Sequence, residues 1–446
     1  MLRNERRVVI TGLGLVTPLG IGTEAVWGAL SQGRGAIDKI RAFPVDGLPN
    51  DVAAEVPGLD KKAMIDLALP RIKKPLRKSL NFMARDIQLS VACAQLAFAD
   101  AGLEGAKIDP TRIGVDLGAG LISTELDELA PAIDAGYAGS ASFDYGLYAR
   151  EGIAQITPIW LLKYLPNMLA CHISILLDCQ GPSNTITEAE AASNVAVGEA
   201  ARIIARGRAD VMITGGADSK IHPLSMIRMS LLDQMSRWSG DPAGACRPFD
   251  AARDGTVPGE GAGTLILEER EHALARGAKI YGEILAYGSG CDARPGGGLD
   301  PDGVGTEIAI RAALRGADLA PEAIGHVNAH GAGTVASDLA ESRALARVFG
   351  GAGGAKPSVP VTALKGYVGN IVSGCGAVEL ISSLIGVNQG LIPPAINCPD
   401  YDPACAPLDL VTGRPRATDN PTFVNTNLTR LGQAAAVVVR GNPGVL

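Results

Sequence analysis

Eight cysteines and five histidines are the soft ligands and nucleophiles this chain can offer. Cys93, Cys171, Cys179, Cys246, Cys291, Cys375, Cys398 and Cys405 lie scattered without a CxxC pair. That spacing supports neither a zinc site nor a dithiol redox motif. His172 directly follows Cys171, but two ligands do not close a metal site, and the pair reads as buried core. No metal and no cofactor is expected. The densest cationic run is Arg71, Lys73, Lys74, Arg77 and Lys78. It reads either as a solvated face or as a docking patch, and Pro75 within it argues against one regular helix.

The elements that must position such groups alternate. Short β-branched runs predict strands over 8–11, 113–117, 211–214, 264–267, 280–286, 326–329 and 436–439. Ala-rich stretches predict helices over 86–101, 193–206, 305–315, 338–348 and 376–387. The class is therefore α/β. The stretch 193–206, apolar among small residues, is expected to be buried on most sides. Gly-rich segments 295–298 and 350–354 read as surface loops, and 136–164, rich in Tyr, Gly and Ala, as an inserted cap. Two halves, 1–270 and 271–446, are the expected domain organisation.

Composition narrows the function. The 446 residues carry 40 Lys and Arg against 47 Asp and Glu, a net charge of −7. Nucleic-acid binders carry a basic excess, so that class is disfavoured. No uncharged apolar run reaches the ~18–20 residues of a bilayer span. The charged start followed by VVITGLGLVTPLG mimics a signal peptide, but a first strand entering a Gly-rich turn explains it better. A cytoplasmic location is expected.

Several motifs carry a resemblance. RRVVITGLGLVTPLG is followed in register by PNMLACHISILLDCQGPS, AARIIARGRADVMITGGAD, CRPFDAARDGTVPGEGAGTLILEE and VNAHGAGTVASD. Over nearly its whole length the chain resembles β-ketoacyl-acyl-carrier-protein synthases of the elongating type. The resemblance implies a thiolase-like fold: two similar βαβαβαββ halves forming a five-layered α-β-α-β-α core, normally dimeric. It also implies a reaction in which a cysteine takes an acyl chain from a carrier-protein thioester. Two histidines then assist decarboxylation of a malonyl thioester to the attacking carbanion.

Position by position, the match breaks at the chemistry. Ungapped counting from Gly181-Pro182-Ser183 puts Glu190 where the family has its cysteine, at a helix N-terminus whose dipole favours the charge. Cys171 and Cys179 precede that turn. The first family histidine matches His330, in Asn328-Ala329-His330-Gly331 with Thr334 and Asp338 following, and the family lysine matches Lys365. The second histidine position holds Asn370, as in the chain-initiating branch, where a His–Asn pair stabilises the enolate. The glycine-rich gate reads Asn425-Thr426-Asn427-Leu428-Thr429-Arg430-Leu431-Gly432-Gln433 and loses both family phenylalanines. Family carrier proteins dock on a basic segment before the first long helix, where Arg71–Lys78 lies, and Arg228 is a further candidate. The expected function is a non-condensing ketosynthase-like protein of fatty-acid or polyketide biosynthesis. It would act as a chain-length-factor-like subunit with acyl carrier protein, as a homodimer or paired with a Cys-containing ketosynthase. Two alternatives stand beside it: a malonyl-carrier-protein decarboxylase, and a non-catalytic acyl or carrier-protein binding module.

Overall fold

All ten residues of strand β1 (Val8–Thr17) are buried, as a strand requires when helices cover both its faces. Gly12 and Gly14 make that cover possible. A Cβ at either would lie 2.3 Å from a main-chain oxygen, that of Ala97 or Cys93, on helix α1 (Arg85–Asp100). Only glycine lets the helix lie this close. The computed structural model describes residues 6–48, 50–232, 235–350 and 359–445, so the predicted loop 350–354 lies outside the described residues except for Gly350.

After α1 come β2 (Ile113–Ala119), α2 (Met168–Leu177), β3 (Ser183–Ile186), α3 (Ala192–Ala205), β4 (Val211–Ser219) and β5 (Glu260–Glu269). Their strands are ordered β3-β2-β4-β5-β1, with β3, β2 and β4 parallel and the other pairings antiparallel. The second part repeats the plan with β6 (Gly282–Cys291), α4 (Val304–Ala317), β7 (His326–Ala329), α5 (Val335–Phe349) and β8 (Pro360–Ala363). It continues with α6 (Cys375–Asn388), β9 (Thr422–Leu428) and β10 (Gln433–Gly441). Its order β8-β7-β9-β10-β6 has the same parallel and antiparallel pairs. The two half-sheets join where Val8–Ile10 of β1 pairs with β6.

The helices form three layers around them. Helices α1 and α2 pack on the outer face of the first half-sheet, and α4 and α5 on that of the second. Helices α3 and α6 lie between and touch both. Every residue of α6 is buried, the mark of a helix enclosed all round. This is the expected five-layered, thiolase-like arrangement.

Each predicted strand and helix corresponds to one of these elements, with 280–286 beginning two residues late and helices 86–101 and 193–206 each ending one residue sooner than expected. Strands β3, β8 and β9 were not expected, because Ser, Asn, Thr and Pro break their apolar pattern. The run Arg71–Lys78 is not one regular helix, as expected, but the break is not at Pro75. Arg71 lies in a 3-10 turn, Pro70–Ile72, and helix Lys73–Ser79 takes Pro75 in its first turn, where a missing N–H breaks no intrahelical bond. No helix among the described residues is long and apolar enough to cross a membrane, and no group of three or more His, Cys, Asp or Glu there could hold a metal ion.

Candidate functional site

Strand β3 leads through a single tight turn, Ala189–Ala191, into α3. Ala189 holds φ at 42°, a left-handed conformation that costs energy in any residue with a Cβ. The helix start is seated on the sheet: a Cβ at Gly118 of β2 would lie 2.5 Å from the Ser193 nitrogen. Likewise Gly216 of β4 would meet the Ser373 oxygen at 2.4 Å, and Gly263 of β5 the Ala377 carbon at 2.7 Å. The N-termini of α3 and α6 thus rest on bare backbone, and Ser193 Oγ accepts from Ala377 N at 3.1 Å to tie them together.

Glu190 projects from this turn into a pocket of ≈ 450 Å³. Its walls include Leu121, Glu188, Arg228, Met229, Val372, Arg430 and Leu431. No cysteine lines it, and neither does any residue of 136–164, so the segment read as a cap does not cover this pocket. Burial alone raises the Glu188 carboxyl above its ordinary value.

The other sequence-derived residues stand behind Glu190, each almost wholly buried. Asn370 Nδ2 donates to Glu190 Oε1 at 3.1 Å. Its amide orientation is fixed from the far side, where Asn370 Oδ1 accepts from Val372 N at 2.9 Å and from Cys375 Sγ at 3.3 Å. That thiol sits at the start of α6, and burial raises its pKa despite the Lys365 ammonium, so it stays protonated. Lys365 Nζ donates to the His330 carbonyl at 2.7 Å and to Glu379 Oε1 at 2.6 Å. Lysine thus holds the histidine's backbone rather than its ring. Burial, reinforced by the Lys365 charge, keeps His330 well below its ordinary pKa, so its ring is neutral. Glu190, His330, Lys365 and Asn370 are therefore drawn into one region, but only Glu190 lines the pocket.

Sequence reasoning missed the residues that organise this floor. Glu341 of α5 accepts from His330 N at 2.7 Å and Gly331 N at 2.8 Å, clamping the histidine loop. Asn427 donates to Glu379 Oε2 at 2.7 Å and approaches His330 Nδ1 at 3.4 Å. Asn427 accepts in turn from Asn194, which accepts from Asn425. In the gate motif Asn427 replaces a family phenylalanine, and Asn425 was given no role of its own. An i, i+2 pair of amides on one strand was the available signal, since both side chains then share a face.

The docking candidates separate. Arg228, on helix Pro223–Leu231, lines the pocket. Leu76 of helix Lys73–Ser79 and the flanking Ile72 and Leu80 turn inward at four-residue spacing, leaving Lys73, Lys74, Arg77 and Lys78 in water. Arg71 is tied down, stacked over Phe98 at 5.2 Å and donating to the Leu177 carbonyl at 3.4 Å. None of this run lines the pocket.

Two family models match the chain, the β-ketoacyl synthase N-terminal domain over residues 5–273 and the C-terminal domain over 281–399. The chain belongs to the β-ketoacyl synthase family. Among family members it is 34% identical over 413 residues to the 3-oxoacyl-[acyl-carrier-protein] synthase 2 of Synechocystis sp., covering 93% of this chain and 92% of that one. Its fold matches the ishigamide ketosynthase/chain length factor with a TM-score of 0.84 and 30% identity, over 98% of this chain and 100% of that one. It also matches a structure of a type II polyketide-synthase acyl-carrier protein in complex with its ketosynthase, with a TM-score of 0.83 and 26% identity over the same shares. This β-ketoacyl synthase family member thus lies among proteins of fatty-acid and polyketide biosynthesis.

Proposed function

We propose that the protein is a non-condensing β-ketoacyl synthase homologue that works as a chain-length-factor-like partner subunit. The observation that carries the reading is Glu190 at the turn into α3, its carboxylate already taking the Asn370 amide at 3.1 Å. A carboxylate is a poor nucleophile for thioester exchange compared with an activated thiolate. The donor that would stabilise a developing oxyanion is spent on Glu190 instead. Cys375, the thiol bonded to Asn370, is buried and held protonated. The proposal divides the chain into halves 1–270 and 271–446, in keeping with the repeated strand order.

Pairing with a second subunit is part of the proposal, either another copy or a Cys-containing ketosynthase. Strand β3 ends the sheet, with Ser183 and Asn184 exposed, and an open edge of this kind is a template for another strand. Ile175, on α2 packed against this strand, is exposed, and Leu126, Tyr145, Leu161 and Leu162 of the same half are exposed too, apolar area of the kind a partner covers.

Purified protein incubated with acyl- and malonyl-carrier proteins is expected to show no acyl-enzyme mass and no condensation product. Glu190→Cys is expected to remain ~10²-fold or more below a condensing family member, roughly the loss from one missing oxyanion donor. Full elongation by that variant would remove the argument from Asn370 and the altered gate. Robust release of carbon dioxide from malonyl-carrier protein, abolished by His330→Ala, would replace the subunit reading with the decarboxylase.

Carrier-protein docking is proposed on the exposed face of Lys73–Ser79. Reversing Lys73 and Lys74 to Glu should weaken affinity by roughly tenfold at low salt, as a few exposed charge pairs would, and the difference should shrink as salt screens it. Unchanged affinity in a titration returns this face to simple solvation.

A further inference from the structure

We infer that three buried amides, Asn425, Asn194 and Asn427, fix the proton of His330 on Nε2 and make its ring a hydrogen-bond donor. Amide oxygen and nitrogen are told apart by the partners they must satisfy, and here both ends of the relay are unambiguous. At one end Asn425 Nδ2 meets the Gly376 carbonyl at 3.0 Å, and a carbonyl only accepts. The same nitrogen donates to Asn194 Oδ1 at 3.0 Å. Asn194 must then turn its nitrogen to Asn427 Oδ1, at 2.7 Å. Asn427 is left with its nitrogen facing Glu379 Oε2 at 2.7 Å and His330 Nδ1 at 3.4 Å.

The other end demands the same direction. Glu379 is paired with the Lys365 ammonium at 2.6 Å, and a carboxylate only accepts. Turning Asn427 over would set its oxygen against that carboxylate and its nitrogen against the Asn194 nitrogen. Three residues with almost no exposure cannot recruit bulk water to relieve such a clash. The atom facing the Asn427 N–H must therefore be a lone pair. With Nδ1 accepting, the single proton of a neutral ring sits on Nε2.

This gives the floor of the site a fixed polarity. His330 Nε2 can then donate a hydrogen bond but cannot take up a proton. The assignment does not rest on the acyl-thioester reading of the pocket. Asn427 is a positioning residue, acting through the ring it faces.

The experiment is an NMR spectrum of protein labelled with ¹⁵N in its histidine rings, with His330 assigned as the signal lost in His330→Gln. The expected result is an unprotonated Nδ1 and a protonated Nε2, constant over the pH range in which the protein is folded. Proton on Nδ1 in the wild type overturns the inference whether or not Asn427→Asp folds. Asn427→Asp, which presents an acceptor to the ring, is expected to bring a proton onto Nδ1. A folded Asn427→Asp protein with an unchanged ring spectrum would remove Asn427 from the role. Condensing activity would sink the proposed function and leave the tautomer assignment untouched, so the two failures are separable.

Discussion

Replacing Lys365 with methionine is expected to destabilise the protein by about 3–5 kcal/mol, the cost of leaving one member of a buried ion pair alone. Lys365 is wholly buried, and its ammonium lies 2.6 Å from Glu379 Oε1 and 2.7 Å from the His330 carbonyl. Methionine fills much of the space but leaves the Glu379 carboxylate, among the described residues, with Asn427 as its one donor. Burial already raises the Glu379 carboxyl, with Lys365 opposing. Without the ammonium that carboxyl should hold its proton, so the variant's deficit should shrink as pH falls. The double variant Lys365→Met, Glu379→Gln removes both charges and should recover part of the loss. Denaturant unfolding of the single and double variants measures this. A single variant within about 1 kcal/mol of wild type, the net worth of an ordinary hydrogen bond, would mean that the pair carries no such weight.

Asp116→Asn should act in the opposite direction and depend on pH. Asp116 of β2 is wholly buried, and neither carboxyl oxygen meets a donor among the described residues. Burial, with a smaller push from the Glu199 charge, raises its pKa to about 7. An unfolded Asp titrates near ~3.9. Between those values the folded chain retains a proton that the unfolded chain has released, so this group's contribution is fully present below about pH 4 and lost as pH rises to about 7. Above that it is flat. Asparagine does not titrate, so the variant should gain on wild type across this window by roughly 4 kcal/mol in total, about three pKa units of linkage. Parallel stability curves for the two proteins between those pH values would show that Asp116 finds a partner in the folded protein.

Much of the fold was legible because its strands are apolar runs and its helices carry the small residues that close packing needs. The elements that escaped, β3, β8 and β9, owe their pairing to neighbours: Asn425 and Asn427 sit within β9 because flanking strands satisfy its backbone. The site was legible where it follows contiguous motifs, so Glu190, His330, Lys365 and Asn370 were found by register alone. The amide relay was not, since Asn194 lies more than two hundred residues from Asn425 and Asn427 and only folding brings it to β9. Glu341 was hidden likewise, being one more acidic residue on an amphipathic helix until its carboxylate is seen clamping two N–H groups.

The seating of α3 and α6 on glycine backbone divides the pocket into two mechanical regimes. Inward displacement of the turn at Glu190 is blocked, because Gly118, Gly216 and Gly263 leave no side chain that could rotate aside. The opposite walls, helix Pro223–Leu231 and residues 429–431, present Arg228, Met229, Arg430 and Leu431, whose long side chains can change rotamer without moving a strand. Substitutions on those walls can alter the cavity's size and charge one at a time. The floor has no such freedom: a larger residue there needs a matching retreat of a helix terminus, so its variants must arise in pairs. An engineer seeking a new ligand would therefore diversify the mobile walls and leave the glycine-seated floor alone.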